Sequence, residues 1–344
     1  MTEADLTQVF PPRNQPSEHP FAQYVRILGK GPRLSRSLTL AETRSAAAMI
    51  LKGEVEPVQL GAFLCLLRVR TETPEEVAGF ALAIRDAMAK PAVEPAVDLD
   101  WPSYAGKSRR LPLFILAALL LAENGVRVAM HGSEGHTAGR LYTRQALVSL
   151  GIPAAGSLAE AAAELGARNF TYVPMELLIP QLGPIMELKW LLGLRSPLHT
   201  AIRNVNPFDA GASLMSVFHP NYRTVHCAAG VLMGMTTLAC FKGDGGEAER
   251  RPEKPCVVEG LQDGVAFSEE WPPMAAAEAE AEMDPTALAL LWRGEIAWPH
   301  GEATVIGTAA VALRLLGRAG RPADAEALAR RWWGERRRLA VPSP

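Results

Sequence analysis

The chain has 344 residues, of which 48% are hydrophobic and 21% are charged, and this composition is ordinary for a globular protein of two domains. The formal net charge of −2 at pH 7 excludes a global basic field, so any binding of nucleic acid requires a local patch of cations. The four cysteines are widely spaced and form no Cys-x-x-Cys pair, which indicates buried free thiols and excludes a zinc site of the usual spacing.

The first 20 residues are rich in proline and lack the apolar core of a signal peptide, so we expect residues 1–20 to form a flexible arm. The longest apolar run, residues 111–122, is too short to span a bilayer. We therefore expect a cytoplasmic protein that does not interact with membranes.

Residues 20–90 carry helical signals and nothing that resembles a strand. Thr39 and Glu42 form a capping box, and Thr73 and Glu76 mark another helix start. Apolar residues follow these starts at helical spacing. We predict several helices in this segment.

Residues 90–112 contain four prolines and no periodicity, which predicts a linker or hinge without a strand. Beyond it, apolar runs at 126–130 and 170–173 alternate with helical segments, which predicts an α/β fold with a mostly parallel sheet and flanking helices. Residues 175–215 return to a helical pattern without strands. Further strands are expected at 236–241 and 254–259, followed by a mainly helical C-terminal part.

The loop at residues 101–112 carries three cations, Lys107, Arg109 and Arg110, directly before an apolar helix. The unpaired N–H groups and the dipole at a helix N-terminus attract anions, so this loop is a candidate phosphate site. The Gly-Lys-Ser sequence at 106–108 is not a Walker A motif, because that motif needs a glycine at position 101, which is a tryptophan. From the residues alone, an anion-binding loop and a solvated hinge are equal alternatives.

Two further clusters are candidates for chemistry. His131 and Gly132 follow a strand and open a glycine-rich turn at the edge where α/β sheets bind ligands, but the spacing to His136 fits no metal geometry. Asp244 and Glu247 follow another strand, and they either hold Mg²⁺ beside a phosphorylated substrate or form an acidic surface turn.

The C-terminal segment 330–338 combines five arginines with two tryptophans. This composition suits either nucleic-acid binding or a terminal helix whose tryptophans pack inward. His199, His219 and His226 lie among apolar or turn residues, and we interpret them as structural.

The order of these features resembles the anthranilate phosphoribosyltransferase family, within the nucleoside phosphorylase/phosphoribosyltransferase fold. A helical N-terminus and a hinge are followed by a strand with His131-Gly132. The most specific piece is the segment 187–207, ELKWLLGLRSPLHTAIRNVNP. The resemblance extends over roughly residues 20–320.

The resemblance implies a domain organisation and an activity. A small helical domain that dimerises would contain residues 21–90 and an inserted segment at about 175–215. A larger α/β domain would contain residues 91–174 and about 216–344. In the family's reaction, anthranilate displaces pyrophosphate from phosphoribosyl pyrophosphate, with Mg²⁺.

The departures from the family fall on its substrate motifs. Where the family has Gly-Thr-Gly-Gly-Asp-Gly, residues 104–109 read Tyr-Ala-Gly-Lys-Ser-Arg. Where it has Lys-His-Gly-Asn-Arg, residues 130–134 lose two cations and gain an acid. The position of the family's anthranilate-binding arginine is occupied by Lys189, which cannot form the same bidentate hydrogen bonds to a carboxylate. The metal motif Asp-Gly-Leu-Asp-Glu appears at 244–248 as Asp-Gly-Gly-Glu-Ala. The first aspartate is kept, the second is replaced by the longer glutamate, and the final glutamate is lost.

These changes are similar to those of a divergent YbiB-like branch of the family, whose members look like homodimeric nucleic-acid binders. The first hypothesis is therefore a homodimeric DNA- or RNA-binding protein with little sequence preference. The residues predicted to contact phosphates are Lys107, Ser108, Arg109, Arg110, Lys189, Arg195 and Arg203. Gly106, His131 and Gly132 would be remnants of the substrate loops.

The alternative hypothesis is a phosphoribosyl or glycosyl transferase with an altered acceptor. Arg109 and Arg110 would then replace backbone donors for the pyrophosphate, and Asp244 and Glu247 would hold Mg²⁺. A third hypothesis is a retired enzyme that serves as a scaffold for protein interactions. No residue is predicted to be catalytic.

Overall fold

The computed structural model describes residues 18–92, 94–135, 137–277 and 282–338. The arm predicted at residues 1–20 lies outside the described residues, apart from its last three positions. Among the described helices, none combines the length and the apolarity that crossing a bilayer requires.

The N-terminal part is helical, as predicted. The side chains of Thr39 and Thr73 each accept the N–H of the glutamate three residues later. Each glutamate side chain in turn accepts the backbone N–H of its threonine, so both predicted helix starts are confirmed. The four helices of this part are α1 (Ala22–Gly29), α2 (Leu40–Leu51), α3 (Pro57–Arg70) and α4 (Pro74–Ala87).

The α/β fold class is confirmed by a seven-stranded sheet in the described residues, with the order β3-β2-β1-β4-β5-β6-β7. Strands β1 to β5 are parallel, and β6 and β7 are antiparallel additions at one edge. The strands are β1 (Leu99–Ser103), β2 (Val128–Gly132), β3 (Phe170–Pro174), β4 (Ala212–Val217), β5 (Leu238–Lys242), β6 (Cys256–Gln262) and β7 (Val265–Trp271).

Helices cover both faces of this sheet. The central helix α5 buries every residue from Phe114 to Ala122, which explains the long apolar run as a core helix that packs against α13. The helices after α4 are α5 (Phe114–Glu123), α6 (Thr143–Ser149), α7 (Leu158–Arg168), α8 (Met175–Leu178), α9 (Leu182–Leu192), α10 (Leu198–Ala201), α11 (Tyr222–Leu232), α12 (Thr286–Arg293), α13 (Pro299–Leu315) and α14 (Pro322–Glu335).

The expectation that no strand feeds the cationic loop is wrong, because β1 lies in the middle of the sheet and leads directly into it. Pro102 lies inside this strand. The carbonyl of Asp98 accepts the N–H of Ala212 in β4, so alternate residues of β1, including Pro102, face β4. Pairing with β4 ends at Asp100, and the missing N–H of Pro102 therefore costs no ladder bond.

The strands predicted at 126–130, 170–173, 236–241 and 254–259 are confirmed as β2, β3, β5 and β6, shifted by a few residues. The expectation that residues 175–215 lack strands is wrong, since β4 begins at Ala212. Strand β7 was not predicted.

The inserted helical segment packs on the N-terminal helices. Leu182 and Ile185 of α9 and Leu198 of α10 belong to the same buried cluster as Phe63 of α3 and Phe80 of α4. The sheet and its helices form a second buried cluster around α5 and α13. The carboxyl edge of the sheet thus faces the helical part, and the loops of both meet there.

Candidate functional site

The loops after β1, β2, β4 and β5 meet at the carboxyl edge of the sheet. The strand order reverses at β1, because β2 lies on one side of it and β4 on the other. In open α/β sheets, such a reversal creates a crevice in which ligands bind. The site is therefore positioned by the topology of the sheet.

The loop after β1 is fixed by a carboxylate from the loop after β5. Oε1 of Glu247 accepts the backbone N–H groups of Ala105 at 2.7 Å and Gly106 at 2.6 Å. Gly106 adopts a left-handed backbone with φ of 66°, and Arg140 donates to the carbonyls of both loop residues. Two consecutive N–H groups that converge on one oxygen form a backbone anion nest. Glu247, which is fully buried, fills this nest from within the protein.

Lys107, which was predicted to contact phosphates, is buried in the protein. Its side chain is 1% exposed, and its ammonium group donates to Asp244 and, at 2.6 Å, to Glu249. Burial opposes the charged form, but the attraction of Glu249 and Asp244 prevails and raises the pKa of Lys107. Lys107 is therefore an internal ion-pair partner that attaches the first loop to the loop after β5.

Glu249 is a residue that sequence reasoning did not single out. Its second oxygen accepts the N–H of Phe114 at 2.8 Å, at the start of α5. Burial raises the pKa of Glu249 to about 7, against the opposing attraction of Lys107. The N-terminus of α5 was expected to attract an external anion. It is instead bonded to the carboxyl group of Glu249, a side chain of the protein itself.

Asp244 and Glu247 do not fit the Mg²⁺ site that the sequence suggested. Asp244 pairs with Lys107, and one oxygen of Glu247 is held by two amides. Within the residues that the structure describes, no three His, Cys, Asp or Glu side chains are grouped so as to hold an ion. A divalent cation here would have to displace the ammonium group of Lys107.

His131 lies in a buried polar chain below the loops. Its Nδ1 bonds to the hydroxyl of Tyr104 at 2.7 Å, and its Nε2 lies 3.0 Å from Asp100, which accepts from Ser213 at 2.6 Å. A Cβ on Gly132 would lie 2.1 Å from the carbonyl oxygen of Ser103, so only glycine fits at that position. His131 and Gly132, both predicted as loop remnants, therefore serve the packing between neighbouring strands of the sheet.

A basic cleft of about 640 Å³ opens beside the filled nest. Ser108 and Arg109, predicted as phosphate contacts, are exposed and line this cleft, whereas Arg110 does not and lies 3.2 Å from Glu253. Asp244 is the only acidic residue of the lining. The basic residues that line the cleft are Lys107, Arg109, Arg140, Arg223, Lys242, Arg251 and Lys254.

Two of these cations, Lys242 and Lys254, are exposed and have no ion pair among the described residues. Arg223 lies 3.0 Å from Glu259, and Arg251 pairs with Glu253. The sequence analysis did not single out any of these four residues. Arg223 follows β4, Lys242 ends β5, and Arg251 and Lys254 follow β5. They therefore lie at the carboxyl edge, where parallel sheets bind ligands, and that placement is the signal that could have identified them.

Two of the predicted contacts from the inserted segment, Arg195 and Arg203, line a second cavity of about 150 Å³. Phe218 is 57% exposed and lines both this cavity and the basic cleft. Lys189 and Arg195 both donate to Thr137, at 3.1 and 3.2 Å. The structure thus places Ser108 and Arg109 in the lining of the basic cleft and Arg195 and Arg203 in that of the second cavity, whereas Arg110 and Lys189 line neither.

The C-terminal arginine and tryptophan cluster contributes to packing. Trp333 is 4% exposed, and Arg336 lies over its ring and donates to the carbonyls of Leu291 and Trp292. These contacts favour the alternative of a terminal helix that packs inward. His226 is also structural, since it is buried and bonded to Asn204.

The comparisons with known proteins agree with this architecture. Residues 22–88 match a family described as glycosyl transferase family, helical bundle domain. The uncharacterized protein YbiB of Escherichia coli is 31% identical over 208 residues, which cover 59% of this chain and 64% of YbiB, just under two thirds of that relative. The anthranilate phosphoribosyltransferase of Gluconobacter oxydans is 29% identical over 309 residues, which cover 86% of this chain and 85% of that protein.

Among solved structures, the anthranilate phosphoribosyltransferase of Thermus thermophilus superposes with a TM-score of 0.74. The superposition covers 92% of this chain and 94% of that protein at 20% identity. At this identity the likeness concerns the fold alone. It agrees with the helical part and the seven-stranded sheet described above.

Proposed function

We propose that this chain is a divergent member of the anthranilate phosphoribosyltransferase family, similar to its YbiB-like branch, and that it is a homodimeric nucleic-acid-binding protein with little sequence preference. The strand would lie in the basic cleft at the carboxyl edge of the sheet. The contacts would be made by the exposed side chains of Arg109, Lys242 and Lys254, together with Arg140.

One observation carries this proposal: the phosphate-type nest of the first loop is filled by Glu247, while an open cleft with excess positive charge adjoins it. A filled nest leaves no backbone donors for a pyrophosphate group. Lys107 is paired inside the protein, but six other basic residues and one acidic residue line the described cleft, and this excess attracts a polyanion although the whole chain has a net charge of −2.

The chemistry of the lining favours binding without sequence preference. Its exposed groups are mainly arginine and lysine, which bind phosphates, and phosphates carry no sequence information. Phe218 offers an aromatic face beside the cleft, and every base can stack on such a face.

An exposed apolar face on the helical part supports the homodimer. Val58 and Val69 lie three turns apart on α3 and are 67% and 83% exposed. Trp190 and Leu191 of the neighbouring α9 are 62% and 82% exposed. Exposed apolar side chains of this size on two neighbouring helices are typical of an association surface. Sedimentation equilibrium is expected to give twice the mass of one chain, and a monomer at all concentrations would contradict the dimer.

The binding proposal is tested by fluorescence anisotropy with labelled oligonucleotides of unrelated sequences at two salt concentrations. We expect similar affinities for all sequences and a steep loss of affinity as salt rises, because counterions are released when phosphates bind. Binding that is absent, or that does not change with salt, would contradict the proposal.

The alternative is a phosphoribosyl or glycosyl transferase, which the likeness of fold favours. The filled nest and the pairing of Asp244 with Lys107 oppose it, because both would have to open before pyrophosphate and Mg²⁺ could bind. Calorimetry with phosphoribosyl pyrophosphate and Mg²⁺ separates the two functions. We expect no saturable heat at millimolar ligand, whereas saturable binding would favour the transferase.

A further inference from the structure

The second cavity contains a buried cation without a hydrogen-bond partner for one of its donors. Arg203 lies in the 3-10 turn Ile202–Asn204 and is 9% exposed. Its Nη1 atom has no hydrogen-bond partner among the described residues, and its side chain lines the cavity of about 150 Å³. An unpaired guanidinium donor in a buried position is rare and unfavourable, which points to a missing ligand.

The protein compensates the charge of Arg203 only in part. Glu247 attracts Arg203, but its Oε1 is held by the amides of Ala105 and Gly106. Its Oε2 has no hydrogen-bond partner in the described residues either, so the carboxylate and Nη1 of Arg203 are not bonded to each other. Burial, only partly offset by this attraction, lowers the pKa of Arg203.

Two further arginines line the same cavity, and its lining contains no aspartate or glutamate. Arg195 is half-buried, and burial together with the neighbouring positive charges lowers its pKa. Arg68 donates to the hydroxyl of Tyr222 at 3.3 Å and lies 3.7 Å from Glu72, outside the cavity lining. Three arginines thus converge on one small space, and an anion placed there would satisfy the unpaired donor and reduce their mutual repulsion.

The size of the cavity limits the anion. At about 150 Å³ it is well below the 300–1,000 Å³ or so of cavities that hold whole drug-sized ligands. It is large enough for a single tetrahedral group with a few waters. Phe218 lines both this cavity and the basic cleft, so the two spaces adjoin at the phenyl ring.

From this geometry we infer that the Arg203 cavity binds the terminal group of a phosphate monoester. A monoester carries close to two negative charges at neutral pH, whereas each internal phosphate of a strand carries one, so three arginines favour a phosphorylated end over an internal position. The monoester is either the phosphorylated end of a strand or a free nucleoside monophosphate. The strand end rests on the proposed function, and the free nucleotide does not.

The test uses the full-length chain and oligonucleotides of one sequence that differ only in a phosphate or a hydroxyl at the 5′ or the 3′ end. We expect a terminal phosphate to raise the affinity about tenfold in anisotropy titrations. Arg203→Met should remove this increment, so that the variant binds phosphate-ended and hydroxyl-ended strands with equal affinity. The matched control is Arg85→Met, which removes an arginine that pairs with Asp209 and lines neither cavity, and which should retain the full increment.

Adenosine 5′-monophosphate and benzoate serve as competitors that distinguish the source and the chemistry of the anion. Saturable binding of the nucleotide that Arg203→Met abolishes, without any effect of strand ends, would support the cavity and assign it to a free nucleotide. This result would stand even if no oligonucleotide bound. Equal binding of benzoate would overturn the inference, because the cavity would then accept a carboxylate. Equal affinity of all strand ends, with no nucleotide binding, would also overturn it.

Loss of folding does not confuse this test. Arg203→Met removes a buried cation that has an unpaired donor and keeps an apolar stem of similar length, so the loss of stability is expected to be small. The melting temperature of the variant is expected to stay within a few degrees of that of the wild type. A variant that loses phosphate binding and melts much lower would assign Arg203 a structural role and overturn the inference.

Discussion

The carboxylate of Glu247 accepts the backbone N–H of Gly106 at 2.6 Å, although the two residues are 141 positions apart in the chain. The N–H of Ala105 reaches the same oxygen at 2.7 Å. A pair of amides suited to an external anion is therefore occupied by an internal one, and the consequences for stability and for binding can be measured separately.

Glu247→Ala is expected to destabilise the protein and to open the nest. Two buried amides would lose a charged acceptor, so the free energy of unfolding should fall by about 2–4 kcal/mol in urea denaturation. Millimolar inorganic phosphate should then raise the melting temperature of the variant but not that of the wild type. Glu247→Gln keeps an acceptor oxygen and should lose less than half as much stability. Equal effects of the two substitutions would show that the nest does not depend on this oxygen.

Lys107→Met tests whether this lysine is internal. The substitution leaves Asp244 and Glu249 without their cation, so the free energy of unfolding should fall by about 3–5 kcal/mol. Lys254→Met, at an exposed position of the same cleft, should change it by less than about 0.5 kcal/mol. If Lys107→Met were as stable as the wild type and lost only affinity for oligonucleotides, the original prediction of a phosphate contact would be restored.

The buried His226 predicts a pH dependence of stability. Burial lowers its pKa to about 3, from an ordinary value near 6.5. The unfolded chain therefore binds one more proton between pH 6.5 and pH 3. The contribution of His226 to stability is complete above pH 6.5 and is lost as the pH falls through this range, by at most about 1.4 kcal/mol per pH unit.

The measurement compares the unfolding free energies of wild type and His226→Leu from pH 7 to pH 4. The variant should be less stable at pH 7, and the difference should shrink toward pH 4. Comparison with a variant is needed because Glu249, whose pKa burial raises to about 7, titrates in the same range with the opposite sign. His219→Leu, at an exposed position, should keep the wild-type profile, and a pH-independent difference for His226→Leu would contradict the prediction.

Charge reversal in the basic cleft should change the salt dependence of nucleic-acid binding. Lys242→Glu combined with Lys254→Glu is expected to weaken single-strand binding at least tenfold, and to reduce the slope of log K against log salt by about 1.4 for two lost phosphate contacts. The matched double variant, Lys30→Glu with Arg33→Glu, reverses two exposed cations of the helical part and should have little effect. Equal losses in both variants would indicate a nonspecific effect of net charge.

Local signals in the sequence predicted most helices and four of the strands, because caps and apolar runs act over a few residues. Strand β1 escaped prediction because it contains Asp100 and Pro102, which rarely occur in a central strand. The bond of Asp100 to Ser213 and the early end of its pairing with β4 make both residues acceptable, and neither is visible in the sequence. Strand β7 does have a local signal in the sequence, the Asp-Gly pair at 263–264, which is typical of a two-residue hairpin turn. In the structure both residues have positive φ and connect β6 to β7.

The site was predicted less well than the fold, because its chemistry depends on partners distant in sequence. The sequence located cations at Lys107 and Arg109, and both lie at the carboxyl edge of the sheet as expected. It could not indicate that Lys107 would be neutralised by Glu249 while Arg109 lines an open cleft. Whether a charge serves stability or binding is decided by tertiary contacts that no local pattern contains.

Strand β1 pairs with β2 at five positions and with β4 at only two, so β1 and β4 diverge after Asp100 and Ser213. Beyond that point the connecting loops take no part in the ladder between these two strands. Substitutions in these loops can therefore accumulate through evolution without disturbing strand register. The same divergence of β1 and β4 can then occur in proteins that bind unrelated ligands. A change of ligand in such a lineage requires new loop residues and leaves the folding of the sheet intact.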